Sequence, residues 1–171
     1  MFSNLFPRSG TTCSLSSGSL DPVVAETDRL AHFAVFHALD SSSSNRSFFK
    51  SSHTEICLKK CVEKMLERHS MVFGGMMVRL NIDRDVNFRE GFSEVAEELF
   101  RDAVSWSKIV ALFAFGARLG QHCRQKGMGD LVEEVASSLA GFARERITPF
   151  IREEGGWVSN LIISSEDCHF Y

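Results

Sequence analysis

The sequence predicts an all-α fold, and three observations support this prediction. Apolar residues recur at helical spacing from residue 54 onward, alternating stretches typical of β-strands are absent, and Ser- or Gly-rich segments separate the helical stretches. One central stretch is apolar nearly all round yet too short to cross a membrane, which favours a position inside a helix bundle. The length of 171 residues suits one domain with a substantial core.

The first two predicted helices are separated by a Ser-rich segment. Segments 1–20 and 40–53 are Ser-rich and predicted to lack regular structure. Between them, Asp21-Pro22 is a helix start signal, because Asp accepts capping bonds and Pro fits the first helical position, so a helix is predicted over about 22–39. From residue 54, one helix face is predicted to consist of Ile56, Leu58, Cys61, Val62, Met65 and Leu66.

The next two segments are an apolar stretch and an amphipathic one. Residues 71–80 are apolar but contain Gly74-Gly75, and each Gly costs a helix about 1 kcal/mol relative to Ala, so this helix is predicted to be short or soft. The following helix has its apolar face at Phe88, Phe92, Val95, Ala96, Leu99 and Phe100.

The C-terminal half is predicted to be a buried helix followed by shorter ones. Ser105 is the predicted cap of the apolar helix 106–122. The segment 127–130 is predicted to break that helix and to cap an amphipathic helix over about 131–146. Thr148-Pro149 then restarts a short helix, Gly155-Gly156 ends it, and residues 157–163 form a last turn or two.

The composition excludes several functional classes. Charged residues make up 24% of the chain and the net charge is −3, which provides no basic field for nucleic acid. Five cysteines without a C-x-x-C pair, and no visible secretory signal, indicate a reducing intracellular compartment. The most apolar run, 109–117, falls far short of the about 20 residues of a membrane span, and we expect no membrane anchor in this chain.

Catalytic and metal-binding patterns are weak. Adjacent His69 and Ser70 point about 100° apart on a helix and do not form a nucleophile–base pair by spacing, so we expect no enzyme. His53, Cys57 and Cys61 follow one another at steps of four, but zinc needs four ligands and no fourth is indicated. Packing at a helix–helix contact is the preferred interpretation, and we expect neither metal nor cofactor.

Three segments together resemble the Bcl-2 family of apoptosis regulators. ELFRDAVSWSKIVALFAFGA resembles the family's first homology region, PFIREEGGW resembles the second, and LKKCVEKM is a degenerate match to the third. The resemblance covers about residues 22–163, and the spacing in ERHSMVFGGMMVRLNI is most similar to the Mcl-like branch. It implies a bundle of about eight helices around a central apolar helical hairpin, with a helical domain over 21–165 and a short tail over 166–171.

The resemblance also implies a surface groove that binds an amphipathic helix of a partner. Its apolar lining would be Met65, Phe73, Met76, Leu80, Val95, Leu99, Ala111 and Phe115. Lys108 stands where the family has an Arg that pairs with the partner's Asp, and Asp102 matches the acidic residue of the opposite rim. Ser107 replaces a Gly, and a Lys lacks the planar fork of Arg, so both departures predict weaker binding or a narrower partner range. The structural anchors would be Trp106, Gly116, Gly155, Gly156 and Trp157.

Within the family, the third homology region favours a pro-survival role. Val62 occupies the position of a small residue and Glu63 that of an Asp, so this helix is predicted to pack inward and not to be donated to another molecule's groove. The expected partners are helices of Bim-, Bak- or Bax-type proteins, with a cytoplasmic location and access to mitochondria through those partners. A membrane-permeabilising effector and a purely structural helical module are the alternatives, and the sequence leaves homodimerisation and a viral or cellular origin open.

Overall fold

The computed structural model describes residues 21–39, 51–80, 82, 88–158 and 161. Within these residues every regular element is helical, which confirms the all-α prediction. The helices are α1 (Pro22–His37), α2 (His53–Arg68), α3 (Ser70–Leu80), α4 (Phe88–Leu99), α5 (Trp106–Gln125), α6 (Gly129–Phe142), a π-helical turn (Ala143–Ile147) and α7 (Thr148–Glu153). The described part of the chain thus holds seven α-helices, slightly fewer than the expected number of about eight.

Two helix starts use side-chain caps. Asp21 Oδ1 accepts a hydrogen bond from the backbone N–H of Val23 at 2.9 Å, as predicted from the Asp-Pro pair. Ser52 and Glu55 form a capping box at α2, in which each side chain accepts from the other residue's backbone N–H. Because this box fixes the start of α2 at residue 53, the predicted loop ends one residue earlier than expected.

Two other predicted cap positions lack a side-chain capping bond. Ser105 occupies the N-cap position of α5 but makes no capping bond, and its Oγ lies 3.2 Å from Ser107 Oγ instead. Helix α6 begins at Gly129 behind Met128, which has no capping side chain. Asp130 therefore lies inside the first turn, where its negative charge is favoured by the helix dipole.

Helix α5 is the centre of the fold. It packs against α1, α2 and α6, and eleven of its residues are buried. Gly127 has φ of +72° in the turn that reverses the chain, so α5 and α6 form the predicted central hairpin. The crossing with α1 is close, since a Cβ on Gly120 would lie 2.5 Å from the backbone oxygen of Val35.

The predicted single helix over 131–146 is interrupted. Helix α6 ends at Phe142 and a π-helical turn follows before Thr148 begins α7. The Thr148 hydroxyl donates to the Ala143 carbonyl at 3.1 Å across this turn. Gly155 and Gly156, with φ of +85° and +98°, end α7 as predicted.

Several predicted segments lie outside the described residues. These are the N-terminal segment 1–20, residues 40–50 of the Ser-rich loop and the tail 166–171. The last predicted turn is described at Trp157, Val158 and Leu161 and is helical there. The boundaries of the domain stay a prediction.

Candidate functional site

The structure brings together the four helices that carry the expected groove lining. Met65 comes from α2, three residues come from α3, and α4 and α5 provide two each. Helix α3 contacts α2, α4 and α5, and α4 also contacts α5. These four contacting helices carry the eight residues of the expected lining, which we call the groove region: Met65, Phe73, Met76, Leu80, Val95, Leu99, Ala111 and Phe115.

Most side chains of the groove region are buried in the free chain. Phe73 and Leu80 of α3 are only 4% and 8% exposed, and Met65, Val95 and Phe115 are also buried. Met76, Leu99 and Ala111 are half-buried, so none of the eight side chains is fully exposed. The expected lining thus lies mostly inside the bundle.

The end of helix α3 packs against α4. The Leu80 side chain packs on Gly91 of α4, where an added Cβ would come within 2.8 Å of Leu80 Cδ1. Phe92 of α4 stacks on Phe115 of α5 with ring centroids 5.8 Å apart. The absence of a side chain at Gly91 thus lets the end of α3 settle against α4.

The polar rim residues lie at the start of α5 and just before it. Lys108 is half-buried in the first helical turn, and it makes no ion pair with any residue that the structure describes. A cation there opposes the helix dipole at a cost of about 0.3–1 kcal/mol, so Lys108 is not placed for the stability of α5. Asp102 is exposed in the segment between α4 and α5, and Ser107 is half-buried beside Ser105.

The tryptophans form an aromatic cluster at the base of α5. Trp157 is buried and packs against Phe113 at 5.4 Å and Trp106 at 5.9 Å between ring centroids. Its Nε1–H donates to Thr27 Oγ1 at 2.9 Å, and the Thr27 hydroxyl donates to the Val23 carbonyl at 2.7 Å. Sequence reasoning missed Thr27, because one buried Thr among the apolar residues of α1 carries no local signal.

Gly116, expected as an anchor, and Gly120, which the sequence analysis missed, are close-packing positions on α5. A Cβ on Gly116 would lie 2.8 Å from Leu139 Cδ2 of α6, whereas one on Gly120 would strike the α1 backbone. The two glycines are four residues apart and therefore share a helix face. That spacing was the signal that could have identified Gly120.

The cysteines of α2 lie inside the bundle. Cys57 and Cys61 are buried, and Cys57 Sγ lies 3.7 Å from His53 Nε2. Among the residues that the structure describes, no three His, Cys, Asp or Glu side chains are grouped so that they could hold a metal ion. The described helices also include none that is long and apolar enough to span a bilayer.

The all-helical bundle with a buried central hairpin is the architecture of a Bcl-2-like protein, and comparison with known proteins agrees. Residues 58–157 match the sequence profile of apoptosis regulator proteins of the Bcl-2 family. The chain belongs to this family. The structure superposes on the crystal structure of chicken BOK with a TM-score of 0.67 and 21% identity, covering 79% of this chain and 91% of that one.

The sequences of individual relatives align with only part of this chain. Bcl-2-like protein 1 of Rattus norvegicus is 32% identical over 117 residues, which is 68% of this chain and 50% of that protein. The Bcl-2-related ovarian killer protein homolog B of Danio rerio is 32% identical over 92 residues, 53% of this chain and 44% of that protein. The chain thus spans about half the length of the curated relatives it matches. Because one of these names denotes a killer protein, family membership alone leaves the direction of regulation open.

Proposed function

We propose that this protein is a pro-survival regulator that sequesters amphipathic helices of pro-apoptotic family members in the groove region. The partners would be helices of the Bim, Bak or Bax type, and the partner range would be narrow. The observation that carries the proposal is the inward orientation of α2, the helix that a death-promoting member would have to release.

Release of α2 would be costly. Leu58 and Val62 are fully buried and Met65 is nearly so, and exposing three such side chains costs about 5–9 kcal/mol at about 1.5–3 kcal/mol each. That cost is comparable to the whole stability of a typical domain. The capping box and the contact of Arg29 Nη1 with Glu55 Oε1 at 3.6 Å also hold α2 in place. These contacts favour a receptor of helices over a donor of one.

The groove region offers the chemistry that a partner helix needs. Its lining is apolar, and Lys108 supplies a positive charge at one end. A carboxylate on the partner would pair with this ammonium and would compensate the unfavourable position of Lys108 at the helix N-terminus. Since Phe73 and Leu80 of α3 are buried, we expect capture to require that α3 moves, and two glycines weaken this helix by about 1 kcal/mol each.

A peptide titration with charge-reversal variants tests the proposal. Fluorescent helices of the three partner types are titrated with the wild type, Lys108→Glu and Lys126→Glu, the last being a matched control at the other end of α5. Losing a charge-assisted contact of about 1.5–3 kcal/mol lowers affinity roughly 10- to 150-fold, so Lys108→Glu is expected to bind that much more weakly. Lys126→Glu is expected to bind as the wild type does.

Three results would contradict the proposal. Absence of binding to every helix at micromolar concentration would remove the sequestering role. Equal affinities of Lys108→Glu and Lys126→Glu would remove Lys108 from the site. Nanomolar binding to all three helix types would contradict the narrow partner range.

A second candidate is a membrane-permeabilising effector that uses the α5–α6 hairpin. The similarity to a killer protein of Danio rerio and the continuous apolar surface of α5 favour it. Dye release from mitochondria-like liposomes after addition of an activator helix would support this candidate, whereas intact liposomes would count against it. For the pro-survival regulator we expect a cytoplasmic protein that reaches mitochondria peripherally, so its retention in membranes after carbonate extraction would contradict that location.

A further inference from the structure

Helix α3 is fastened to the bundle by two buried side chains. Phe73 and Leu80 are 4% and 8% exposed, and they lie seven residues apart on one face of the helix. On the other side, Met71 and Val78 are 90% and 80% exposed. A helix of a globular protein normally buries three to four apolar residues per two turns, so α3 is held by fewer contacts than a typical surface helix.

Leu80, the last residue of α3, occupies a notch in α4. The notch exists because Gly91 has no side chain, and a Cβ added there would lie 2.8 Å from Leu80 Cδ1, closer than two carbon atoms can pack. A larger residue at position 91 would therefore push the end of the Leu80 side chain out of its seat. Gly91 lies within helix α4, where glycine is less favourable than alanine, so α4 carries an unfavourable residue at the position where Leu80 needs the space.

Release of Leu80 from this notch would free the end of α3. An isolated helix of 11 residues with two glycines is marginal in water, so we expect α3 to unwind when it leaves α4. Both helices carry part of the groove region, so their separation would expose apolar lining on each of them.

We propose that the seat of Leu80 on Gly91 is an autoinhibitory latch, which holds α3 against α4 and keeps the groove region closed in the free protein. The effect of the latch on partner capture rests on the proposed function, whereas the latch itself is a property of the free chain. A partner that binds only the open form has an apparent affinity reduced by the open fraction, so the latch sets affinity without contacting the partner.

Amide hydrogen exchange of the full chain tests the latch without any partner. Gly91→Ala forces Leu80 from its seat, so the α3 amides are expected to exchange at least about fivefold faster, while the α5 amides keep their wild-type rates. Gly141→Ala in α6 is the matched control, because it makes the same substitution inside a helix with no atom within 4 Å of the added Cβ. It is expected to leave the exchange of α3 unchanged.

A second variant shows whether Gly91 acts through Leu80. Leu80→Ala removes the latching side chain and is expected to accelerate exchange of α3 by about tenfold or more. In that background Gly91→Ala has no Leu80 methyl group to displace, so it should change the exchange of α3 by less than about twofold. An effect of Gly91→Ala on the helix propensity of α4 alone would be equal in both backgrounds.

Partner affinity connects the latch with the groove region. A fluorescent Bim-type helix is expected to bind Gly91→Ala about fivefold more tightly than the wild type, because more of the protein is open. Gly141→Ala is expected to bind this helix as the wild type does. Circular dichroism verifies that each variant is folded.

Three results would overturn the inference. Unchanged exchange of α3 in Gly91→Ala would remove the latch, and so would an equal effect of this substitution with and without Leu80. Faster exchange of α3 without tighter binding of the helix would remove its control of the groove region. If neither the wild type nor Gly91→Ala binds any partner helix, the proposed function fails, and the exchange rates alone decide whether Leu80 latches α3.

Discussion

Replacing Gly74 and Gly75 with alanine is expected to stabilise α3 and, for that reason, to weaken the capture of a partner helix. Both glycines lie in helical backbone, and a Cβ at either position meets nothing within 4 Å, so the substitutions introduce no clash. Alanine is favoured over glycine in a helix by about 0.8–1.0 kcal/mol per residue. The pair should therefore raise the free energy of unfolding by about 1.6–2 kcal/mol.

The same energy opposes opening of the groove region. Phe73 and Leu80 of α3 are buried and Leu80 packs on α4 at Gly91, so we expect a partner helix to bind only after α3 has moved from α4. If α3 unwinds during that step, the added 1.6–2 kcal/mol has to be overcome on binding, and the apparent affinity falls about 15- to 30-fold. Urea denaturation measures the stability, and fluorescence polarisation with a Bim-type helix measures the affinity.

Gly141→Ala in α6 is the matched control for this pair. Gly141 is also helical with open space around its Cβ position, so the variant should gain about 0.8–1.0 kcal/mol of stability without any change in partner affinity. A Gly74→Ala/Gly75→Ala variant that is more stable yet binds the helix as tightly as the wild type would refute the reasoning. It would mean that α3 shifts as an intact helix or does not move.

Substitutions at three further positions test the contacts of the bundle. Gly120→Ala drives a Cβ against the α1 backbone, which cannot rotate away, and should lower the free energy of unfolding by about 3 kcal/mol in urea denaturation. Thr27→Val leaves the buried Trp157 N–H without its acceptor and should cost about 1–3 kcal/mol by the same measurement, whereas Thr27→Ser keeps the hydrogen bond and costs less. The Arg152 guanidinium holds the pKa of Asp21 below its ordinary 3.8, so this pair stabilises the fold above pH 3.8 and less as the pH falls through the folded-state pKa. Asp21→Asn keeps a capping oxygen but loses the ion pair, so its melting temperature should lie below that of the wild type at pH 7 and approach it in acid.

Much of the fold follows from local signals in the sequence. The Asp21-Pro22 pair fixes the start of α1 and Gly155-Gly156 fixes the end of α7, because both signals act through the backbone of their own turn. The apolar run after Ser105 correctly predicts a buried central helix, since a helix without a polar face has to be covered on every side.

Other features depend on contacts between distant residues and could not be predicted. The π-helical turn before α7 interrupts a segment whose apolar spacing is compatible with a continuous helix. Ser105 has the residue type of a helix cap, yet its hydroxyl faces another serine. The hydrogen bond from Trp157 to Thr27 joins residues 130 positions apart, and no local pattern indicates it.

Like the fold, the candidate site could be predicted from the sequence only in part. Resemblance to the family identified helices α2 to α5 as its source, and the structure brings these helices together. The residue types in α3 gave no indication that Phe73 and Leu80 would be buried in the free chain, because an apolar side chain in a soft helix suits an exposed groove wall and a packed interior equally. The absence of a side chain at Gly91, a residue of another helix, leaves room for Leu80 there.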